Sequence, residues 1–339
     1  MKLFCDTPIL LTGTFRSGTS FSGRVLNNHP NIKIATDTVC FLRFSFNKYN
    51  PITDKNNLEA LIDEIYSRLK IRWNILFDKN DVIRDCLKDN LNYSTIWDSV
   101  MYHAFMKESN KNIWGEKIVL EWQKIPDFFK MYPKGCVVHT IRDPRDVLCS
   151  WKKMTNSTGN DYLDAIFNCI DSMNKAIEFS DLYKDKRYFV LKFEDFTSNS
   201  EVVLKKMCTK LNIAYEPNSM LDIKNFKAKD GGSWNSGTMF KDKFTKVSTK
   251  PVGRWKKYLS NEELYLVERF AGDIMKKYDY TLSKQKISND LIRKSIDYLS
   301  QSKLASNGAF NYLINNEGVS RFPSNPLDPK NWTDEHTVR

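Results

Sequence analysis

The stretch from Pro8 to Thr38, PILLTGTFRSGTSFSGRVLNNHPNIKIATDT, constrains the fold more than any other part of the chain. Ile9, Leu10 and Leu11 form a short apolar run bounded by Pro8 and Gly13, the pattern of a buried strand. A loop of small and hydroxyl residues follows, Thr14 to Thr19. A helix is expected from about Ser20, with Phe21, Val25 and Leu26 on one face. It ends at Asn27-Asn28-His29-Pro30, because proline disfavours helix at the residue before it. Strand, loop and helix N-terminus together make an anion site: the first N–H groups of a helix lack intrahelical acceptors, and its dipole favours negative charge there. Arg16 adds a planar donor fork suited to phosphate or sulfate oxygens. The contacts expected of this loop are Arg16, Ser17, Gly18, Thr19 and Ser20. Taken alone, the stretch also fits an ordinary strand-to-helix turn.

The loop is not a Walker A motif, which requires G-x-x-x-x-G-K-[ST]; here Gly13 and Gly18 are followed by Thr19, with no lysine. No later strand ends in an obvious magnesium-holding Asp. A second stretch narrows the choice. Gly135 to Ile141 reads as a strand and runs straight into Arg142-Asp143-Pro144-Arg145-Asp146-Val147-Leu148-Cys149-Ser150. The two stretches together resemble the sulfotransferase family that uses 3′-phosphoadenosine 5′-phosphosulfate. In that family a P-R-S-G-T-[ST] loop holds the 5′-phosphosulfate. A strand followed by R-D-P-R-D-x-x-x-S holds the 3′-phosphate through its first Arg and last Ser, here Arg142 and Ser150. The resemblance continues through Leu191-Lys192-Phe193-Glu194-Asp195-Phe196 and Pro251-Val252-Gly253-Arg254-Trp255, in the family's order, and stops from Lys284 onward.

The resemblance implies an α/β, three-layer P-loop-like fold: a central, mainly parallel sheet flanked by helices. A sulfotransferase domain is expected over 1–280, with a mostly helical acceptor-side insertion at about 48–111. Residues 281–339 would be a C-terminal helix, roughly Asp290 to Leu304, and an irregular extension. The resemblance also implies site residues. Arg254 would contact phosphate and Trp255 would accompany it. Ser248 would lie by the sulfuryl group, at the end of a lid spanning Asp230 to Thr249. Phe193 stands where the family commonly carries Tyr near the adenine, keeping the ring and losing the hydroxyl. Asp37, after the His-Pro turn, occupies the place of the carboxylate assigned as general base in the tyrosylprotein-sulfotransferase branch; its alternative is a turn or N-cap aspartate. Trp114-Gly115-Glu116-Lys117 resembles the W-G-x-K-[ST]-P segment of bacterial sulfotransferases, with Ile118-Val119 in place of Thr-Pro. Lys117 is therefore expected at the sulfate or acceptor, and Glu116 is a second candidate base.

Composition bounds the rest. The chain of 339 residues is 41% hydrophobic and 27% charged, the profile of a globular protein rather than a disordered or membrane-embedded one. A net charge of +11 favours anionic partners, but the lysines are dispersed and form no nucleic-acid arm. The seven cysteines are scattered, without a C-x-x-C pair or histidines at zinc-ligand spacing, so neither a metal site nor a disulfide framework is expected. With no leader-like or spanning apolar segment after Met1, a reducing, cytoplasmic location is expected.

The expected activity is sulfuryl transfer from 3′-phosphoadenosine 5′-phosphosulfate to an acceptor hydroxyl or amine, on a carbohydrate or a lipid-linked sugar, by metal-free in-line displacement. Asp37 would be the base, while Arg16 and Ser248 stabilise the developing charge. The alternatives are a P-loop phosphotransferase acting on a small molecule, and a non-catalytic nucleotide- or polyanion-binding protein. The sequence leaves oligomeric state open.

Overall fold

The computed structural model describes residues 4–88, 90–154, 159–227, 234, 240 and 245–319. Strand β1 (Ile9–Gly13) leads through the small-residue loop into α1 (Thr19–Asn27) and β2 (Ile32–Thr36). The short α2 (Phe41–Phe44) follows, then α3 (Lys55–Trp73), α4 (Lys79–Leu87) and α5 (Tyr93–Met101), which continues into a π-helical turn at Tyr102–Met106. Then come β3 (Ile113–Lys117), α6 (Ile125–Met131), β4 (Cys136–Ile141), α7 (Pro144–Met154), α8 (Ala165–Leu182) and β5 (Arg187–Lys192). The remainder is helical: α9 (Phe193–Ser198), α10 (Ser200–Leu211), α11 (Pro217–Met220), α12 (Trp255–Tyr258), α13 (Asn261–Lys277), α14 (Asn289–Ser300) and α15 (Lys303–Asn315).

The five strands form one parallel sheet in the order β2-β3-β1-β4-β5. Its central strands β1 and β4 are buried on both faces, and side chains alternate between them. Leu10 and Val137 pack with Phe41, Ile65 and Trp97 of the helical region on one side. Ile9, Leu11 and Val138 pack with Val25, Leu204 and Met207 of α1 and α10 on the other. A parallel sheet needs this cover, and each fully buried aliphatic side chain contributes about 1.5–3 kcal/mol. The α/β, sheet-centred fold implied by the resemblance is the one found.

Two elements differ from the sequence reading. Trp114 to Lys117 lie in β3, a strand between β1 and β2 that the period-2 signal does not reveal, because it places a buried Glu116 and Lys117 next to Trp114. The single helix expected near Asp290 to Leu304 is a pair, α14 and α15, each started by a serine cap, Ser288 and Ser302. The pair packs on the main body: Ala305 and Ala309 join a core formed by α7, α8 and α13, and Gly308 lies where a Cβ would be 2.4 Å from the Phe167 ring. The expected lid falls mostly on residues outside those described, as do the prolines near the C-terminus.

Parallel order places one functional edge. β1 connects through α1 toward the β2 edge and β4 connects through α7 and α8 toward the β5 edge, so the connections diverge between β1 and β4, and the carboxyl ends of these strands open the crevice where ligands collect in such sheets. The loop after β1, the segment after β2, Lys117 at the end of β3 and the Arg142 segment after β4 all lie on that edge.

Candidate active site

The loop after β1 is built around two glycines that no other residue could replace without displacement. Gly13, at φ +154°, leaves no room for a Cβ, which would meet Thr140 Oγ1 at 2.2 Å. Gly18 has φ +100° and serves as the N-cap of α1; a Cβ there would meet the Phe193 ring at 2.4 Å. Ser17 is fully buried, donating to the Thr14 carbonyl (2.8 Å) and pairing with Thr140 Oγ1 (2.9 Å), so its hydroxyl ties the loop to β4. Arg16 takes the left-handed conformation, φ +65°, which turns its side chain toward Ser150; Nε donates to the Ser150 hydroxyl at 2.9 Å.

The second arginine arrives from β4. Arg142 donates to the Arg16 carbonyl (2.9 Å) and to the Pro251 carbonyl (2.5 Å), and its guanidinium lies 4.5 Å from the Phe193 ring centroid. Its buried Nε finds no acceptor among the described residues. Burial, and then the neighbouring Arg142 charge, lower the Arg16 pKa to about 10. Two guanidiniums brought this close, with one buried N–H left over, make a site short of negative charge. Asp146, 3.9 Å from Arg142, does not supply it in full: its oxygens accept the N–H groups of Gly253 (2.7 Å) and Trp255 (3.0 Å).

These groups open into one pocket with an empty volume of about 850 Å³. It is lined by Arg16, Gly18, Thr19, Ser20, Arg142, Ser150, Phe193, Ser248 and Arg254, all expected from the sequence. Phe21, Arg24, Asp146, Trp234 and Phe240 also line it and were not expected. Arg24 lies 5.1 Å from the Trp234 ring and Arg254 4.2 Å from that of Phe240, so this wall is cationic and aromatic. The Trp255 ring lies elsewhere, 4.0 Å from the Arg145 guanidinium, and Trp255 reaches the site through its backbone. Asp146 and Glu194 are the anchors that sequence reasoning missed. Asp146 pins the 253–255 backbone, while Glu194 accepts from the Asp143 N–H (3.0 Å) and the Tyr280 hydroxyl (2.7 Å). Both hold backbone or distant side chains, and no local pattern marks that work.

Asp37 and Lys117 sit at the same edge of the sheet but outside the pocket lining. Lys117 Nζ donates to Asp37 Oδ2 at 2.7 Å, and the Asp37 N–H donates to the Lys117 carbonyl at 2.9 Å. Asp37 retains some exposure, 23% of its side chain, where Lys117 has 3%. Glu116 is turned to the other face of β3. It is fully buried and accepts the Cys40 and Phe41 N–H groups, and burial pushes its carboxyl up to about 8. His139 is buried between Tyr188 and Ser172, and burial drives its pKa down to about 3.

All seven cysteines are buried and unpaired, and among the described residues no cluster of three or more His, Cys, Asp or Glu is arranged for a metal ion. No helix among them is long and apolar enough to cross a membrane.

The sequence of residues 8–217 matches the model of the Sulfotransferase family, from β1 to the start of α11. No curated protein is a significant match. Among solved structures, the sulfotransferase domain of the Synechococcus PCC 7002 olefin synthase is similar at 16% identity and a TM-score of 0.51, over 79% of this chain and 95% of that one. The sulfotransferase domain from the curacin biosynthetic pathway is similar at 14% identity and a TM-score of 0.52, over 82% of this chain and 99% of that one. At such identities these likenesses speak to the fold, and the family match covers well over half of the 339 residues. The chain belongs to the sulfotransferase family.

Proposed function

We propose that the pocket binds 3′-phosphoadenosine 5′-phosphosulfate and that the protein transfers its sulfuryl group to an acceptor hydroxyl. One observation carries this reading: Arg16 and Arg142 converge, and the buried Arg142 Nε has no acceptor among the described residues. That arrangement costs stability unless an anion completes it. A nucleotide with phosphates at both ends is supported by Arg142 and Ser150 lining the same pocket as the α1 N-terminus. The Phe193 and Trp234 rings line the same pocket, which supports a nucleobase stacking there.

Transfer is an in-line displacement: the acceptor oxygen bonds to sulfur, the bond from sulfur to the bridging oxygen breaks, and adenosine 3′,5′-bisphosphate leaves. Arg16, the N–H groups of Gly18 to Ser20 and Ser248 stabilise the negative charge on the bridging and sulfuryl oxygens. Asp37 takes the acceptor proton, with Lys117 holding its carboxylate in place. The narrower acceptor class is a carbohydrate or lipid-linked sugar. The basic, aromatic-containing chain, with its net charge of +11, supports that class.

Radiolabelled donor incubated with a panel of sugars, glycosides, phenols and simple alcohols tests the reading. Asp37→Asn is expected to bind adenosine 3′,5′-bisphosphate as wild type does while turnover falls about 10²–10⁴-fold. Arg16→Ala is expected to lose both. Wild-type turnover in Asp37→Asn contradicts the assigned base; phosphoryl transfer from ATP with magnesium, and none of sulfuryl, contradicts the reaction.

A further inference from the structure

The segment that carries Asp37 is held in an unusual shape. Asp37 and Cys40 both adopt left-handed backbone conformations, φ +51° and +48°, within four residues. Such non-glycine conformations persist only where the surroundings over-determine them. Three buried side chains do so here. Lys117, on one face of β3, grips the Asp37 carboxylate, and its carbonyl accepts the Asp37 N–H. Glu116, the preceding residue, points to the opposite face and accepts the N–H groups of Cys40 and Phe41. Arg68 of α3 is fully buried and donates to the Val39 carbonyl.

Arg68 is an expensive residue to place there. Its guanidinium lies 4.5 Å from the Phe44 ring and 3.8 Å from Glu64 Oε1, and neither Nε nor Nη1 has a hydrogen-bond acceptor among the described residues. A leucine or methionine would fill that volume without desolvating a charge, so packing alone does not call for arginine. Its hydrogen bond to Val39 reaches the turn between Asp37 and α2. Glu64, in turn, accepts from Lys48 and Tyr49, so the chain of contacts runs from the 48–49 segment through α3 to that turn.

We propose that Glu116 and Arg68 are positioning residues for Asp37, clamping the 37–40 turn from its buried side. The helical region, through Arg68, thereby helps set where the base stands. This rests on Asp37 being the base, but the clamp itself is a geometric matter and is tested separately.

The experiment determines crystal structures of Glu116→Ala, Glu116→Gln and Arg68→Met, each with adenosine 3′,5′-bisphosphate bound. It also measures nucleotide affinity and the release of sulfate from labelled donor, with water as acceptor. In Glu116→Ala and Arg68→Met the 37–40 turn is expected to leave its left-handed geometry and the Asp37–Lys117 separation to grow beyond about 4 Å, outside ion-pair range. Displacement of a base by an ångström or so costs up to about a hundredfold, so the rate constant in Glu116→Ala is expected to fall at least about tenfold. Nucleotide affinity should stay within about twofold, because the donor pocket is untouched. Glu116→Gln keeps an acceptor oxygen for the Cys40 N–H and is expected to recover the rate to within about threefold, which a generic loss of stability would not do. An unchanged turn with the Asp37–Lys117 contact intact in both Glu116→Ala and Arg68→Met overturns the clamp. A displaced turn with Asp37→Asn still fully active leaves the clamp standing and overturns the base.

Discussion

At the scale of the residue, the site depends on charges kept where water cannot fully screen them. Arg142 and Arg16 repel one another, and that repulsion, added to burial, depresses Arg16. Glu116 is the opposite case, a carboxyl raised to about 8 first by burial. A carboxyl whose pKa is higher folded than unfolded holds more protons in the native state, so its contribution to stability is full below its ordinary value near 4.5 and is lost as pH rises to about 8. Thermal unfolding of wild type and Glu116→Gln across that window is expected to show the wild type losing ground as pH increases; parallel curves would contradict the raised value. Motif spacing made Arg16, Arg142, Ser150 and Arg254 legible, because each lines the pocket directly, Arg16 and Arg254 from loops, Arg142 from the end of β4 and Ser150 from α7. Asp146, Glu194 and Arg68 were not legible, because each works on backbone atoms or side chains far away in sequence: Asp146 on Gly253, Glu194 on Tyr280, Arg68 on Val39.

At the scale of the element, the loop between β1 and α1 and the start of α9 form one unit. Gly18 is required twice over, by its φ of +100° and by the Phe193 ring that occupies the space of a Cβ. Gly18→Ala is expected to lower stability by about 1–2 kcal/mol from backbone strain. It is also expected to weaken nucleotide binding, since Phe193 must shift off Arg142; calorimetry beside thermal unfolding checks both, and unchanged affinity would separate the ring from the nucleotide site. The strands β1 and β4 were readable from sequence by their apolar runs. β3 was not readable. It carries Gly115, Glu116 and Lys117 in the middle of the sheet, and the burial of the two charged residues is offset by partners from the start of α2 and the segment after β2. The break between α14 and α15 was likewise hidden, because Ser302 acts as a cap only once its side chain meets Ala305 and Asp161.

At the scale of the whole molecule, a single parallel sheet brings four separate stretches of chain to one edge, and the described C-terminal helices complete the core behind it. The proposed clamp on Asp37 reaches it from the helical region on one face, through Arg68, while the proposed anion-binding end belongs to α1 on the other. On this proposal donor binding and acceptor activation come from different layers, and they should be separable by mutation. The donor half is tested most directly by calorimetric titration with adenosine 3′,5′-bisphosphate, compared with ADP and ATP, in wild type and Arg142→Ala. A charge-assisted contact is worth about 1.5–3 kcal/mol, so Arg142→Ala is expected to weaken binding roughly 10–100-fold and to erase the preference for the 3′-phosphate. Equal affinity for ADP and the bisphosphate in wild type, or binding indifferent to Arg142, would contradict the account.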